Sequence, residues 1–312
     1  MRKAFAEAVV KHVKTETSVF MTGDLGFMAL EPVRDAFDER FINAGVAEQN
    51  MISVAAGLAK TGLEVWAYSI APFCYARPFE QIRNDVCLHR LPVHLVGNGG
   101  GYGYGVMGST HHAIEDYGVL LALQGMRAYV PASDADLDEI VPRMQQWDGP
   151  SYLRLGRDEM PSGLTLPAYQ PWRRLTTGAG PLIAVAGPLA GSILKAVTDL
   201  EPALRPELWV VSELPLEAFP PPMEFAIRLD TSPAVWAVEE HVAQGGFGRM
   251  LSAWVLENGY RPKSFRHWRA EGYPSGTYGS QEFHRAESGI SAPKIRQAIL
   301  ESSVFRGAGV AP

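Results

Sequence analysis

The chain of 312 residues exceeds the ~250 to 300 residues at which one hydrophobic core stops growing, so two domains are the default expectation. With 46% hydrophobic and 20% charged residues, and 31 Gly and 23 Pro spread along the chain, it reads as soluble, globular and turn-rich, not disordered. A net charge of −6 without a Lys/Arg stripe lacks the electrostatic footprint of a nucleic-acid or acidic-membrane binder and leaves a small-molecule substrate as the better expectation. Cys74 and Cys87 are the only cysteines, too few for a thiolate zinc site or a disulfide framework, which fits a reducing, cytoplasmic compartment.

The opening MRKAFAEAVVKHVKTE is interrupted by Lys11, His12, Lys14 and Glu16, so it predicts an amphipathic helix and not a signal peptide. No stretch approaches the ~20 apolar residues of a membrane span. Short apolar runs then alternate with helical patterns: SVFMTG, a helix around Pro32 to Glu39, FINAG, the helix AEQNMISVAAGLAKTG, EVWAYS, a helix from Arg77 to His89, LPVHLVG, RAYVPAS and the helix DADLDEIVPRMQQ, ending with SYLRLGRDE. Apolar runs of this length separated by helices predict a parallel sheet covered on both faces. PSGLTLPAYQPWRRLTTG loses the periodicity and reads as a linker. A second βα series starts near Pro181 with PLIAVAGPLAGSILKAVTDL and runs through ELWVVSELP and AVWAVEEH to GGFGRMLSAWVLENG. The expected architecture is α/β with two open-sheet domains, residues 1–165 and 180–312, and a tail after Phe305 expected to fray.

Chemistry concentrates in three segments. In NAGVAEQNMISVAAGLAKTG, Asn43 to Gly62, the small residues Ala44 to Ala47 make a tight strand-to-helix passage and put Glu48 in the first helical turn, near the apolar face. A carboxyl there is costly without a hydrogen-bond partner, although complementing the helix dipole is the bland reading of a single glutamate. YSIAPFCYARPFEQIRND carries Phe73, Tyr75 and Arg77, with Phe79 and Ile82 read as core. The glycine-dense GNGGGYGYGVMGSTHHAIED has neither a Walker lysine nor dinucleotide spacing, so a nucleotide loop is a weak reading, and its His pair lacks further metal ligands at suitable spacing.

Together these segments resemble the pyrimidine-domain pattern shared by transketolases and 1-deoxyxylulose-5-phosphate synthases, from about Val19 to Glu159, with weaker similarity to the family's C-terminal domain through Gly246. The resemblance implies that Glu48 hydrogen-bonds N1′ of the aminopyrimidine of thiamine diphosphate and stabilises its imino tautomer. It also implies that Asp24, in TGDLG, lies close to the cofactor, that Phe73 stacks on the pyrimidine with Arg77 beside it, and that His111 contacts the cofactor amino group and the substrate. His112 is expected to be a surface histidine at a helix start. Arg157, in LRLGRDE, matches an arginine that binds a substrate phosphate. Two positions depart from the family: Met107 replaces a common aspartate that reads an acceptor hydroxyl, and Gly99 stands about where a substrate-binding histidine is placed. A thioether cannot replace a carboxylate as acceptor, so the sugar preference stays open.

The family holds the cofactor diphosphate through a metal ion and a Gly-Asp-Gly motif, which this sequence lacks. The resemblance therefore implies a separate N-terminal subunit carrying the diphosphate-binding domain and holding Mg²⁺ or Ca²⁺, in an α2β2 heterotetramer. The second domain, with Glu239 to His241, is assigned a structural and interface role, while Gly245, Gly246 and Gly248 fit phosphate binding or helix packing at a tight turn equally well. The implied activity is transfer of a two-carbon ketol unit from a ketose to an aldehyde, with the β subunit of a 2-oxoacid dehydrogenase or a non-catalytic scaffold of the same fold as alternatives.

Overall fold

A computed structural model describes the backbone of residues 1–307 and the side chains of residues 1–302. Six strands run parallel: β1 (Ser18–Thr22), β2 (Phe41–Asn43), β3 (Glu64–Ile70), β4 (Val93–Asn98), β5 (Arg127–Tyr129) and β6 (Ser151–Leu155). A second sheet comprises β7 (Trp172–Thr176), β8 (Leu182–Ala186), β9 (Glu207–Val211), β11 (Val235–Val238) and β12 (Phe265–Trp268), in the order β12-β11-β8-β9-β7. The intervening two-residue β10 (Glu213–Leu214) crosses to the first sheet and pairs antiparallel with β5, giving it the order β10-β5-β6-β4-β3-β1-β2. Apart from the antiparallel edge strands β10 and β7, both sheets are the parallel, helix-covered kind that the apolar runs predict.

The strands are apolar because both faces are covered. Along β3 the side chains alternate: Val65 and Ala67 face a core with Met51, Ile52 and Ala55, while Trp66 and Tyr68 face another with Phe5, Phe20 and Val33. The first of these cores continues into the second sheet through Trp172, Trp209, Phe225 and Phe247, so the sheets share apolar packing. Helix Glu48–Lys60 buries Met51, Ile52, Ala55, Ala56 and Ala59, one face at helical spacing, and its alanines let it lie close to the sheet. Burying Met51 and Ile52 contributes about 1.5–3 kcal/mol apiece.

Two expectations change, and one strand comes without notice. The helix from Arg77 to His89 is replaced by a turn of helix at Phe79–Gln81 and a π-helical stretch at Ile82–Cys87, with Arg77 left outside. Pro78 has no N–H to give and disfavours helical backbone at the residue before it. The linker contains a strand, because β7 hydrogen-bonds antiparallel to β9 and its charges are paired. Arg173, 3% exposed, forks onto Asp136 at 2.8 and 2.6 Å. β12, with the string FRHW, gives no apolar run for the same reason of charge. Of the tail expected to fray, residues 308–312 lie outside the described residues.

Candidate active site

The carboxyl ends of β1, β2, β3, β4 and β6 share one edge of the first sheet. The chain passes from β1 to β2 on one side while β3 lies on the other, and in open α/β sheets the ligand crevice opens where the strand order divides in this way. At the end of β1, Asp24 is exposed, accepts a hydrogen bond from Asn43 at 3.1 Å and donates its N–H to the Gly45 carbonyl at 3.3 Å. Gly45, at φ +68°, then turns the chain into the next helix, a backbone conformation that L side chains rarely adopt.

Glu48 is the first residue of that helix and is 5% exposed. Its carboxylate accepts from Arg77 Nη1 at 3.0 and 2.9 Å and more weakly from Ser69 Oγ at 3.4 Å. The Arg77 guanidinium also lies 3.7 Å over the ring of Phe73. It thereby displays what the Phe73–Glu48 pair accommodates: a flat group stacked on an aromatic face, with its N–H edge turned to a carboxylate. Phe73 sits in the short helix Ala71–Tyr75, which follows β3 directly.

His111 packs edge-on against Phe73 with ring centroids 5.2 Å apart. Its Nδ1 is 2.9 Å from the Thr110 hydroxyl, and on its other side the Tyr104 ring stands 5.9 Å away. Met107 is half-exposed in the same loop, tied by its N–H to the Tyr104 carbonyl at 3.1 Å. Glu48, Arg77, Phe73 and His111 are thus joined in one run of contacts. Asp24 lies on the same edge as these four, and Arg157 is exposed just beyond β6.

His112 is not a surface residue: at 3% exposed, its Nε2 donates to the Gly105 carbonyl at 2.8 Å and its Nδ1 accepts from Tyr273 at 3.0 Å. Burial holds its pKa below the ordinary imidazole value, with the Gly105 carbonyl acting the other way. Tyr75, placed near the pocket by sequence, is buried and reaches Glu115 at 3.4 Å. Ile82 is core as read, whereas Phe79 is only partly buried.

The second sheet reaches the site loop through two buried glutamates. Glu239 accepts from the N–H groups of Phe247 and Gly248 at 2.7 and 2.8 Å, from His267 at 2.5 Å and from the Tyr117 hydroxyl, stapling the Asp116–Leu120 helix to the start of Phe247–Glu257. Glu240 accepts from the Tyr102 N–H at 2.6 Å and from Arg285 Nε at 2.6 Å, and Arg285 also forks onto Glu159 at 2.9 and 2.6 Å. Gly246 and Gly248 are packing positions, since a Cβ would overlap Glu239 at one and His267 at the other.

Sequence reading missed two residues of this edge. Tyr104 lines it next to His111, and Arg2 stands close enough to Tyr68 and Tyr104 for its charge to act on both phenols. A lone arginine at the start of a helix gives no sequence signal for such a position. Among the described residues no group of three or more His, Cys, Asp or Glu is placed to hold a metal ion, and no helix is long and apolar enough to cross a membrane.

A profile of the family described as transketolase, pyrimidine binding domain, matches residues 1–162. A subunit of the apulose-4-phosphate transketolase of Actinobacillus succinogenes is 28% identical over 280 residues, covering 87% of each chain. A putative transketolase C-terminal section of Methanocaldococcus jannaschii is 30% identical over 275 residues, covering 85% of each. Among solved structures, a split-gene transketolase described as an inactive β4 tetramer superposes with a TM-score of 0.78 at 28% identity, covering 96% of this chain and 97% of that one.

Proposed function

This chain belongs to the transketolase family, and we propose that it is the subunit of a split transketolase that carries the pyrimidine-binding half of a thiamine diphosphate site, active only with a partner chain. The observation that carries the reading is the buried Glu48 carboxylate facing a flat cation on Phe73, with His111 against the same ring. An aminopyrimidine is flat, has an N–H edge and fits the demands of that pair. When bound, thiamine diphosphate supplies the electron sink for moving a two-carbon ketol unit from a ketose to an aldehyde.

Each residue then has a task. Phe73 orients the ring by stacking, and Glu48 holds the hydrogen bond at N1′ that controls the tautomer. Arg77 uses the same ring face and the same carboxylate, so its guanidinium turns outward to admit the pyrimidine, as a side chain 42% exposed can do. With the Thr110 hydroxyl donating to Nδ1 of His111, 2.9 Å away, Nε2 carries the proton that goes to a substrate oxygen. Asp24 flanks the cofactor, Met107 borders the acceptor, and Arg157 and Arg2 offer guanidinium groups for a substrate phosphate.

The diphosphate and its Mg²⁺ or Ca²⁺ are assigned to an N-terminal subunit, because this sequence has no Gly-Asp-Gly. A relative described as an inactive tetramer of β chains supports the need for that partner, and an α2β2 assembly in the cytoplasm completes the proposal. Division into a pyrimidine-binding domain, residues 1–165, and a transketolase C-terminal-like domain, residues 180–312, belongs to the same reading. Kinship with transketolases favours ketol transfer over 2-oxoacid decarboxylation or a silent scaffold. The test is to mix the chain with an N-terminal transketolase subunit and thiamine diphosphate and assay ketol transfer: the wild-type mixture turns over, Glu48→Ala does not, and activity retained by the variant would remove Glu48 from its role.

A further inference from the structure

On the side of the site away from Glu48, one aromatic ring takes the space of a side chain that the backbone omits. Gly99 follows β4 at φ +79°, and the N–H groups of Gly99 and Gly100 both donate to the Leu155 carbonyl, at 2.9 and 3.0 Å. A Cβ at position 99 would overlap the ring of Tyr104. That ring is held at both ends: Asn98 Nδ2 donates to its hydroxyl at 2.7 Å, and its backbone carbonyl anchors the turn through the Met107 N–H at 3.1 Å. Phe73, His111 and Tyr104 consequently form a continuous row, with centroid spacings of 5.2 and 5.9 Å, that starts beside Glu48 and ends at Tyr104. Beyond it the turn shows only apolar side chains, Val106 at 72% and Met107 at 55% exposed.

We propose that Tyr104 determines acceptor specificity, its ring closing the site beyond His111 so that short aldehydes are preferred and its hydroxyl donating to an acceptor oxygen. The hydroxyl is free to do so because it accepts from Asn98, which leaves its own proton unused. Burial raises the Tyr104 pKa above the ordinary phenol value, with the Asn98 hydrogen bond and the Arg2 charge acting the other way, so the group is a neutral donor at physiological pH. This inference rests on the ketol-transfer reading.

The experiment uses the chain reconstituted with an N-terminal subunit, one ketose donor, and glycolaldehyde, glyceraldehyde 3-phosphate and ribose 5-phosphate as acceptors. Tyr104→Ala is expected to raise the kcat/KM ratio of ribose 5-phosphate to glycolaldehyde about 10-fold or more, the scale on which pocket shape discriminates. Tyr104→Phe keeps the wall, so the ratio stays within about twofold while KM for the acceptors rises by loss of one hydrogen bond. Thiamine diphosphate affinity, titrated by intrinsic fluorescence, is unchanged in both, and Tyr104→Val replaces the alanine variant if that one does not fold. An active wild type whose acceptor ratio is unmoved by Tyr104→Ala, or a variant whose cofactor affinity falls in step with its activity, overturns the inference and leaves the ketol-transfer reading standing. A wild type that transfers to no aldehyde removes that reading, and the inference with it.

Discussion

Replacing Arg285 with Met should destabilise the chain more than any exposed charge substitution. The guanidinium is 3% exposed and is held between two carboxylates, Glu159 at 9% and Glu240 at 7% side-chain exposure. Methionine leaves both buried without the guanidinium they share, although Glu240 keeps the Tyr102 N–H and the Gln281 amide and Glu159 keeps the Ser192 hydroxyl. Removing one partner of such a buried network costs about 3–5 kcal/mol. At about 2–4 °C per kcal/mol for domains of 150–250 residues, the midpoint should fall by about 6–20 °C, nearer the low end for a longer chain. Differential scanning calorimetry on the isolated chain reads the shift. Adding Glu159→Gln and Glu240→Gln to the Met variant should recover much of the loss, because the penalty comes from unpaired charge and not from missing attraction. A fall under about 2 °C, or a triple variant no better than the single one, would refute the assignment.

Acid should destabilise the chain through two neutral histidines. Burial holds His241 and His112 below the ordinary imidazole value; near His241, Glu239 and Asp116 raise it and Arg154 lowers it, and near His112, Glu240 raises it while His284 and His111 lower it. Protonating His241 would also set Nε2–H against the Gly118 N–H that donates to it at 3.1 Å. Because the folded values lie below the unfolded value of about 6.5, the stability these groups contribute is complete above that pH and is lost as pH falls through the folded values, by up to about 1.4 kcal/mol per pH unit each. Melting between pH 7.5 and 5 should show a steeper fall for wild type than for His241→Asn with His112→Gln; equal slopes would exclude these residues. Separately, Phe73→Leu should weaken thiamine diphosphate binding by the mixed subunits by about 2- to 10-fold, the worth of an aromatic contact beyond its area, and an unchanged dissociation constant by calorimetry would deny the stacking.

The parts of this molecule legible in the sequence are those whose cause is local. The apolar runs of β1, β3, β4, β8 and β9 announce strands covered on both faces, and the Ala44 to Ala47 passage announces the turn that carries Glu48. The edge strands β7 and β12 were hidden because arginines and histidines interrupt them, and their charge is acceptable only where a partner such as Asp136 stands across space. His112 misled for the same reason, since its burial depends on Tyr273, which no nearby residue foretells.

The same division separates the two sides of the proposed site, the one around Glu48 and the one around Tyr104. Glu48 stands at one helix start and Phe73 and Arg77 in the turn that follows β3, Arg77 29 residues on, so it is the family resemblance and not spacing along the chain that implies their proximity. The loop from Gly99 to His111 is shaped from outside itself: Glu240, from the second sheet, holds the Tyr102 N–H and is in turn fixed by Arg285. A glycine at 99 becomes informative only once Tyr104 is seen in its place, and Tyr104 is set by a turn whose neighbour, Tyr102, is anchored across the two sheets. If the proposed site holds, substitutions at Glu240, remote in sequence from Tyr104 and His111, should alter the acceptor ratio of the reconstituted pair before they alter its thiamine diphosphate affinity, and the reverse order would refute this coupling.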